Sequence, residues 1–194
     1  CSYNTVRDNL IENVGKGGIG VGINTGGIAD TSNNVIENNT ILGFQQRYMD
    51  TGLNVSNRGT GKTSNFSIRN NIIDMYATGN TATSYPNHAN GANTSFGVTL
   101  TADSSSYMVD RIIFEGNEIR HSQSVGLGTN YLSNSRIVGN TFIECSRHNT
   151  SPYNLQLLNA FNVKVSENKF VDTHNSTVTS TLAYVIYASG QNVK

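Results

Sequence analysis

The chain has 194 residues, a formal net charge of zero and only 13% charged residues. This composition argues against a basic nucleic-acid-binding stripe and against a polybasic membrane anchor. No stretch approaches the roughly 18 consecutive apolar residues of a membrane-spanning helix. Two cysteines, Cys1 and Cys145, are too few for a disulfide scaffold or a Cys-based zinc module, so we expect no metal site and no other cofactor.

Six segments of the chain repeat one pattern, in which apolar residues lie three positions before and two positions after an asparagine. The repeated residues are Asn9, Asn39, Asn71, Asn117, Asn140 and Asn168, which are 30, 32, 46, 23 and 28 residues apart. Periods of roughly 20–50 residues are typical of solenoids. Apolar and polar residues alternate around each asparagine, which predicts strands, and asparagine tolerates the left-handed backbone of a bend between them.

A second apolar alternation follows each bend after a segment of variable length, as in residues 19–23, 96–100 and 125–128. Each unit therefore contains three short strands and no helical periodicity. We predict an all-β fold, a right-handed single-stranded parallel β-helix of about six coils, with handedness following the rule for parallel crossovers. Residues 1–194 would form a single β-helix domain, and a start at Cys1 without an initiator methionine suggests a fragment of a longer chain.

With this repeat, the sequence resembles the right-handed parallel β-helix proteins of the pectin-lyase-like class, which include bacteriophage tailspikes, polysaccharide lyases and mannuronan epimerases. The resemblance covers about residues 3–190. It implies that the six repeated asparagines form a ladder, and that a glycan groove follows the strand after the variable segment. It also implies a polysaccharide partner and an extracellular or virion-surface location. Tailspike-like members are commonly homotrimers, so a homotrimer is expected, and outward Leu10, Leu42 and Ile72 would suit an interface.

The implied groove carries no charged residue at its outward positions, which the alternation assigns as Gly20, Gly22, Asn54, Gly97, Thr99, Gly126, Gly128 and Gln156. We predict that Asn54, Thr99 and Gln156 bind substrate. Arg120 and Tyr85 complete the predicted binding residues, because Tyr85 lies in a long segment, 76–95, and its ring could stack on a sugar.

Acidic side chains gather where the variable segments begin. His121, Glu144 and Asp172 occupy the same position, four residues after the asparagine, on three consecutive coils, and Asp74 lies one position earlier on the preceding coil. Strand spacing would bring adjacent carboxylates to about 5 Å, near the roughly 5–5.5 Å of retaining glycosidases. These four residues are the predicted catalytic group. The alternative interpretation is that they are polar residues that bond to the backbone.

The sequence thus favours a protein that binds and cleaves a polysaccharide, in the manner of a tailspike acting on a bacterial surface glycan. An alternative is a non-catalytic β-helical shaft or adhesin module, which the uncharged groove would suit. A polysaccharide lyase or epimerase is a further alternative. The absence of a basic cluster and of an Asp-Pro-His motif argues against it, since such enzymes need a base and a charge neutraliser.

Overall fold

A computed structural model describes residues 2–14, 17–23, 27–43, 51–75, 96–122, 124–145, 153–171 and 184–194. These ranges contain strands and one 3₁₀ turn (Ser105–Tyr107), and no helix in them is long and apolar enough to cross a membrane. The strands in chain order are β1 (Thr5–Arg7), β2 (Leu10–Val14), β3 (Gly17–Ile23), β4 (Thr31–Ser32), β5 (Val35–Glu37), β6 (Thr40–Gly43), β7 (Thr51–Asn57), β8 (Thr63–Arg69), β9 (Ile72–Asp74), β10 (Phe96–Ala102), β11 (Val109–Glu115), β12 (Glu118–Arg120), β13 (Val125–Asn130), β14 (Leu132–Val138), β15 (Thr141–Ile143), β16 (Tyr153–Ser166), β17 (Lys169–Val171) and β18 (Tyr184–Val193).

The strands form two sheets in which every pairing is parallel. One sheet has twelve strands, and the other, the short sheet, has six in the order β17-β15-β12-β9-β6-β2. In the larger sheet, β3, β7, β10, β13 and the first halves of β16 and β18 form what we call the groove face. Strands β1, β4, β5, β8, β11, β14 and the second halves of β16 and β18 form the kinked face. The chain visits the kinked face, the short sheet and the groove face in turn, so the described chain is an all-β parallel β-helix, as predicted.

The core runs along the solenoid axis and is lined by the apolar residues that flank each repeated asparagine. Three positions before it, the residues on successive central coils are fully buried: Ile36, Ile68, Phe114 and Ile137. The same holds two positions after it: Ile41, Ile73, Ile119 and Phe142. Strand alternation places both positions inward, and stacking joins them into one hydrophobic cluster that a single coil could not form.

The six repeated asparagines stack in one ladder between the kinked face and the short sheet. The Nδ2 group of each of the first five donates to Oδ1 of the next, at 2.9–3.1 Å, across the separations of 23–46 residues. The same Oδ1 also accepts from the preceding asparagine's backbone N–H. Inside the ladder, Nδ2 of Asn117 also donates to the Ile68 carbonyl at 2.9 Å. Both donor hydrogens and the oxygen of this buried amide are therefore hydrogen-bonded.

The left-handed residue of this bend is the one before each asparagine, contrary to our expectation. Positive φ angles occur there in all six repeats, at Asp8, Asn38, Asn70, Gly116, Gly139 and Glu167. The asparagine itself is held by side-chain bonds and needs no unusual backbone. The residue before it turns the chain by its backbone, while the asparagine closes the bend with its amide.

A second correction concerns the glycines at the start of the groove face. Gly97 and Gly126, expected to point outward, are buried. A Cβ on Gly97 would overlap Cγ2 of Ile119, and one on Gly126 would lie 2.8 Å from Cδ1 of Phe142. Gly52 meets Ile73 in the same way. These glycines let the groove face approach the core residues of the short sheet closely.

We expect Asn117→Ala to lower the free energy of unfolding by about 3 kcal/mol or more. The change leaves the ladder groups of Asn71 and Asn140 without a partner in a buried place. Asn9→Ala is the matched control, because Asn9 is exposed and water can replace its amide, so we expect a loss of about 1 kcal/mol. Urea unfolding measures both values, and equal losses would contradict a ladder that acts through burial.

Gly97→Ala should destabilise the protein by about 1–3 kcal/mol, because the added methyl group must displace Ile119 or the strand. Gly20→Ala, on the same face two coils away, has nothing within 4 Å of the new Cβ and should change stability by less than about 0.5 kcal/mol. Thermal unfolding of the two variants distinguishes them, and a neutral Gly97→Ala would refute the inward position of Gly97.

Candidate functional site

Three of the predicted catalytic residues meet where the short sheet ends. Asp74 is the last residue of β9, and His121 and Glu144 directly follow β12 and β15. The three strands are neighbours in register, with Arg120 paired to Asp74 and to Ile143. His121 and Glu144 both have left-handed backbone, with φ of 56° and 48°. This interrupts the strand alternation, so that side chains from adjacent positions on neighbouring coils converge.

The His121 imidazole lies between the two carboxylates. Its Nδ1 is 2.8 Å from Oδ1 of Asp74, and its Nε2 is 3.5 Å from Oε2 of Glu144. Asp74 is 1% exposed, whereas the side chains of His121 and Glu144 are 24% and 16% exposed. A buried carboxylate therefore fixes the ring from one side, and the other ring nitrogen faces a carboxylate that solvent reaches.

This arrangement raises the pKa of His121 above its ordinary value of 6.5. The hydrogen bond that Nδ1 of His121 donates to the Asp74 carboxylate is the main cause of the raised pKa, and the charges of Asp74 and Glu144 act in the same direction. Partial burial and the Arg120 charge oppose the rise. The site therefore favours imidazolium, which makes His121 a proton donor at a pH where an ordinary histidine would be neutral.

Cys145 follows Glu144 in the chain and is buried and unoxidised. Burial raises the pKa of its thiol to about 11, and Sγ contacts the backbone carbonyls of Ile119 and Ile143. A buried thiol that stays protonated is a poor nucleophile, so we assign Cys145 a packing role. Cys1 lies outside the described residues.

The remaining predicted site residues are placed as follows. Arg120 forms a close ion pair with Glu118 on its own strand. Asp172 and Tyr85 lie outside the described residues. Within the described ranges, no group of three or more His, Cys, Asp or Glu side chains is arranged to hold a metal ion.

The groove face aligns the other three predicted binding residues in a single row. Register pairs Asn54 with Thr99, Thr99 with Gly128, and Gly128 with Gln156. The hydroxyl of Thr99 donates to Oδ1 of Asn54 at 2.8 Å, and all three polar side chains are half-buried. The row thus offers amide and hydroxyl groups on neighbouring strands, without a formal charge.

Aromatic side chains on this face were missed by the sequence analysis. The Phe96 ring lies over Gly128, 2.9 Å from where a Cβ would stand, so Gly128 makes room for this ring and is not open. The rings of Tyr153 and Tyr187 contact each other at a tilt of 31°, with centroids 5.0 Å apart. Phe96, Val125 and Tyr153 are register partners, each the first residue of its strand. The sequence does show that these three residues share one position, directly after the variable segment of each coil, and this could have identified the aromatic row.

Comparison with known proteins adds little. No protein-family model and no curated protein sequence matches the chain. Among solved structures, the chain is similar to the A-module of the Azotobacter vinelandii mannuronan C-5 epimerase AlgE4, with a TM-score of 0.42 and 14% sequence identity. The match covers 98% of this chain and 55% of that one, so the chain spans about half the length of the structure it matches. A likeness this weak carries no argument about activity.

The raised pKa of His121 predicts a pH dependence of stability. Because the folded-state pKa lies above the unfolded-state value, the stabilisation is fully present below about pH 6.5 and is lost as pH rises through the folded-state pKa. His121→Asn should abolish this loss of stability, which begins as the pH rises above about 6.5. NMR titration of the ring and unfolding curves against pH measure both effects. A His121 pKa at or below 6.5 would contradict the described contacts.

Proposed function

We propose that this protein binds a polysaccharide along its groove face and cleaves it with His121 and Glu144 as an acid–base pair. The observation that carries the proposal is the imidazole held between a buried and a solvent-accessible carboxylate. Val125 begins the groove-face strand four residues after His121, so the pair lies beside that face.

The proton transfers follow from the contacts. Protonated His121 donates its proton to the glycosidic oxygen as the bond to the sugar carbon breaks. The 3.5 Å between Nε2 of His121 and Oε2 of Glu144 is too short for a water on the opposite face of the sugar, which needs an acid and a base roughly 6.5–9.5 Å apart. A water that takes the place of the leaving sugar therefore bonds to that carbon from the same face and gives its proton to Glu144. Asp74 does not reach solvent and is a positioning residue, which holds the ring and supports its charge.

The groove face supports the binding part of the proposal. Sugars present hydroxyl groups at their edges and apolar C–H groups on their faces. The row of Asn54, Thr99 and Gln156 can hydrogen-bond to the hydroxyl groups. The aromatic rings of Phe96, Tyr153 and Tyr187 offer flat surfaces on which the C–H faces can pack. Aromatic and amide groups side by side, with no ionised group in the row, suit an uncharged stretch of glycan.

We further propose a right-handed solenoid of about six coils that forms a homotrimer. Its role is tailspike-like, on a bacterial surface glycan, and its location is extracellular or on the virion surface. Two exposed apolar side chains on the short sheet, Leu10 at 63% and Ile72 at 37%, support an interface between copies. A lyase or epimerase reaction would use the same residues, with Arg120 as charge neutraliser. The ion pair of Arg120 with Glu118 argues against that role.

A non-catalytic shaft or adhesin is the second candidate, favoured by a specific observation. The ladder and the register make the solenoid rigid without any contribution from the candidate site, and the polar row of the groove face has no charged group. Glycan binding would then occur without cleavage.

Incubation with a panel of bacterial surface polysaccharides tests the proposal. We expect release of oligosaccharides, detected by size-exclusion chromatography and by new reducing ends, and a loss of about 100-fold or more in Glu144→Gln and in His121→Asn. Glu37→Gln, a carboxylate on another face, is the matched control and should retain activity. Product absorbance near the ultraviolet band of an unsaturated sugar would indicate a lyase. Unchanged cleavage by Glu144→Gln would disprove the assigned pair, and binding without release favours the shaft.

A further inference from the structure

A second concave surface lies on the kinked face, away from His121 and Glu144. Strands β8, β11, β14 and β16 each bend sharply at one residue with left-handed backbone: Asn65, Arg111, Asn134 and Asn162, with φ of 58°, 52°, 45° and 54°. The bend creates a groove of about 830 Å³ along the outside of these strands. We call it the kink groove.

The described lining of the kink groove contains four cationic side chains and no carboxylate. Three of them, Arg136, Lys164 and Lys194, form a row. Arg136 and Lys164 are direct register partners, and Lys194 is bonded through its backbone to Val163 and Val165, beside Lys164. Adjacent strands are about 4.8 Å apart. Like charges on neighbouring strands repel one another, so the part of this row that no carboxylate contacts lowers the stability slightly.

The protein neutralises this groove only in part. Glu115 forms ion pairs with two arginines, Arg136 at 3.1 Å and Arg69 at 3.5 Å. Asp110 forms an ion pair with Arg111 at 3.2 Å. Among the described residues, no carboxylate lies within 4.0 Å of Lys164 or Lys194. The excess positive charge is therefore concentrated at the end of the row.

Arg111 adds a second indication. The corresponding left-handed residue in the neighbouring coils is asparagine, which tolerates this backbone, whereas a long side chain adopts it at a cost. Arg111 lies between Asn65 and Asn134 in the strand register, on the border of the groove, and its Nε contacts Asp110 at 3.2 Å.

We propose that the kink groove binds the negatively charged groups of an acidic polysaccharide. The inference rests on the proposed function in taking the partner to be a polysaccharide, and it adds that the chain carries carboxylate or sulfate groups. Evenly spaced cations on successive strands match a polymer with regularly repeated charge. The exposed amides of Asn162 and Asn192 line the same groove and can bond to sugar hydroxyls. Phe66 is the only aromatic residue in the described lining and is buried, so nucleic-acid bases would find no ring to stack on.

Binding of fluorescently labelled polyglucuronate to the full chain tests the proposal, with dextran as the uncharged polymer, and polyglutamate and polydeoxythymidylate as other polyanions. We expect polyglucuronate to bind most tightly and to weaken with salt. The double variant Arg136→Gln, Lys164→Gln should bind about tenfold more weakly. Lys169→Gln, an exposed lysine of the short sheet, is the control and should bind as the native chain does.

Lys164→Gln alone should raise the melting temperature in the absence of polymer, because it removes the repulsion between Lys164 and its cationic neighbours.

Equal polyglucuronate binding by the native chain and the double variant would overturn the proposal. Tighter binding of polyglutamate or polydeoxythymidylate would also overturn it and would assign the groove to another partner. Lack of polyglucuronate binding would overturn the proposal as well. It would not decide the proposed function, which is tested separately by cleavage of an uncharged glycan by the native chain and by the loss of that cleavage in Glu144→Gln.

Discussion

The side-chain amide of asparagine is the interaction on which this architecture depends. It carries two donor hydrogens and an oxygen that accepts twice, and a central ladder residue such as Asn71 uses both donors and this oxygen. One donor binds the next coil's amide and one binds the strand carbonyl of the preceding coil. Each coil is thereby fixed in rotation and in height relative to its neighbours. A residue with a shorter side chain or a single donor could not do both.

A fixed register determines what can meet on the outside. Asp74, His121 and Glu144 converge because their strands are locked in phase, and Arg136 faces Lys164 for the same reason. In the first case, opposite charges and a hydrogen bond stabilise the contact. In the second, the same lock holds like charges together. The two clusters are therefore products of one constraint, and their opposite electrostatic character is what distinguishes them.

The parts of the structure that follow strand alternation could be predicted from the sequence, and the parts at the corners could not. Ile68 and Ile73 around Asn71 indicated the inward positions, since period-two alternation holds in the strands beside the repeated asparagines. Gly97 was assigned to the wrong side, because the alternation breaks near the start of β10, where Gly97 and Val98 are buried one after the other. The contact of Asp74 with His121 depends on a left-handed residue, whose effect on side-chain direction is not encoded in hydrophobic periodicity.

The uneven spacing of the ladder has a consequence for how such a protein can diversify. Asn71 and Asn117 are 46 residues apart and Asn117 and Asn140 are 23 residues apart, yet each pair lies on adjacent coils and is joined by the same hydrogen bond. Doubling the length of a flexible connection costs only about 0.6 kcal/mol in closure entropy. Evolution can therefore add, remove or exchange whole connections beside the groove at little thermodynamic penalty, while the cylinder that presents them keeps its dimensions.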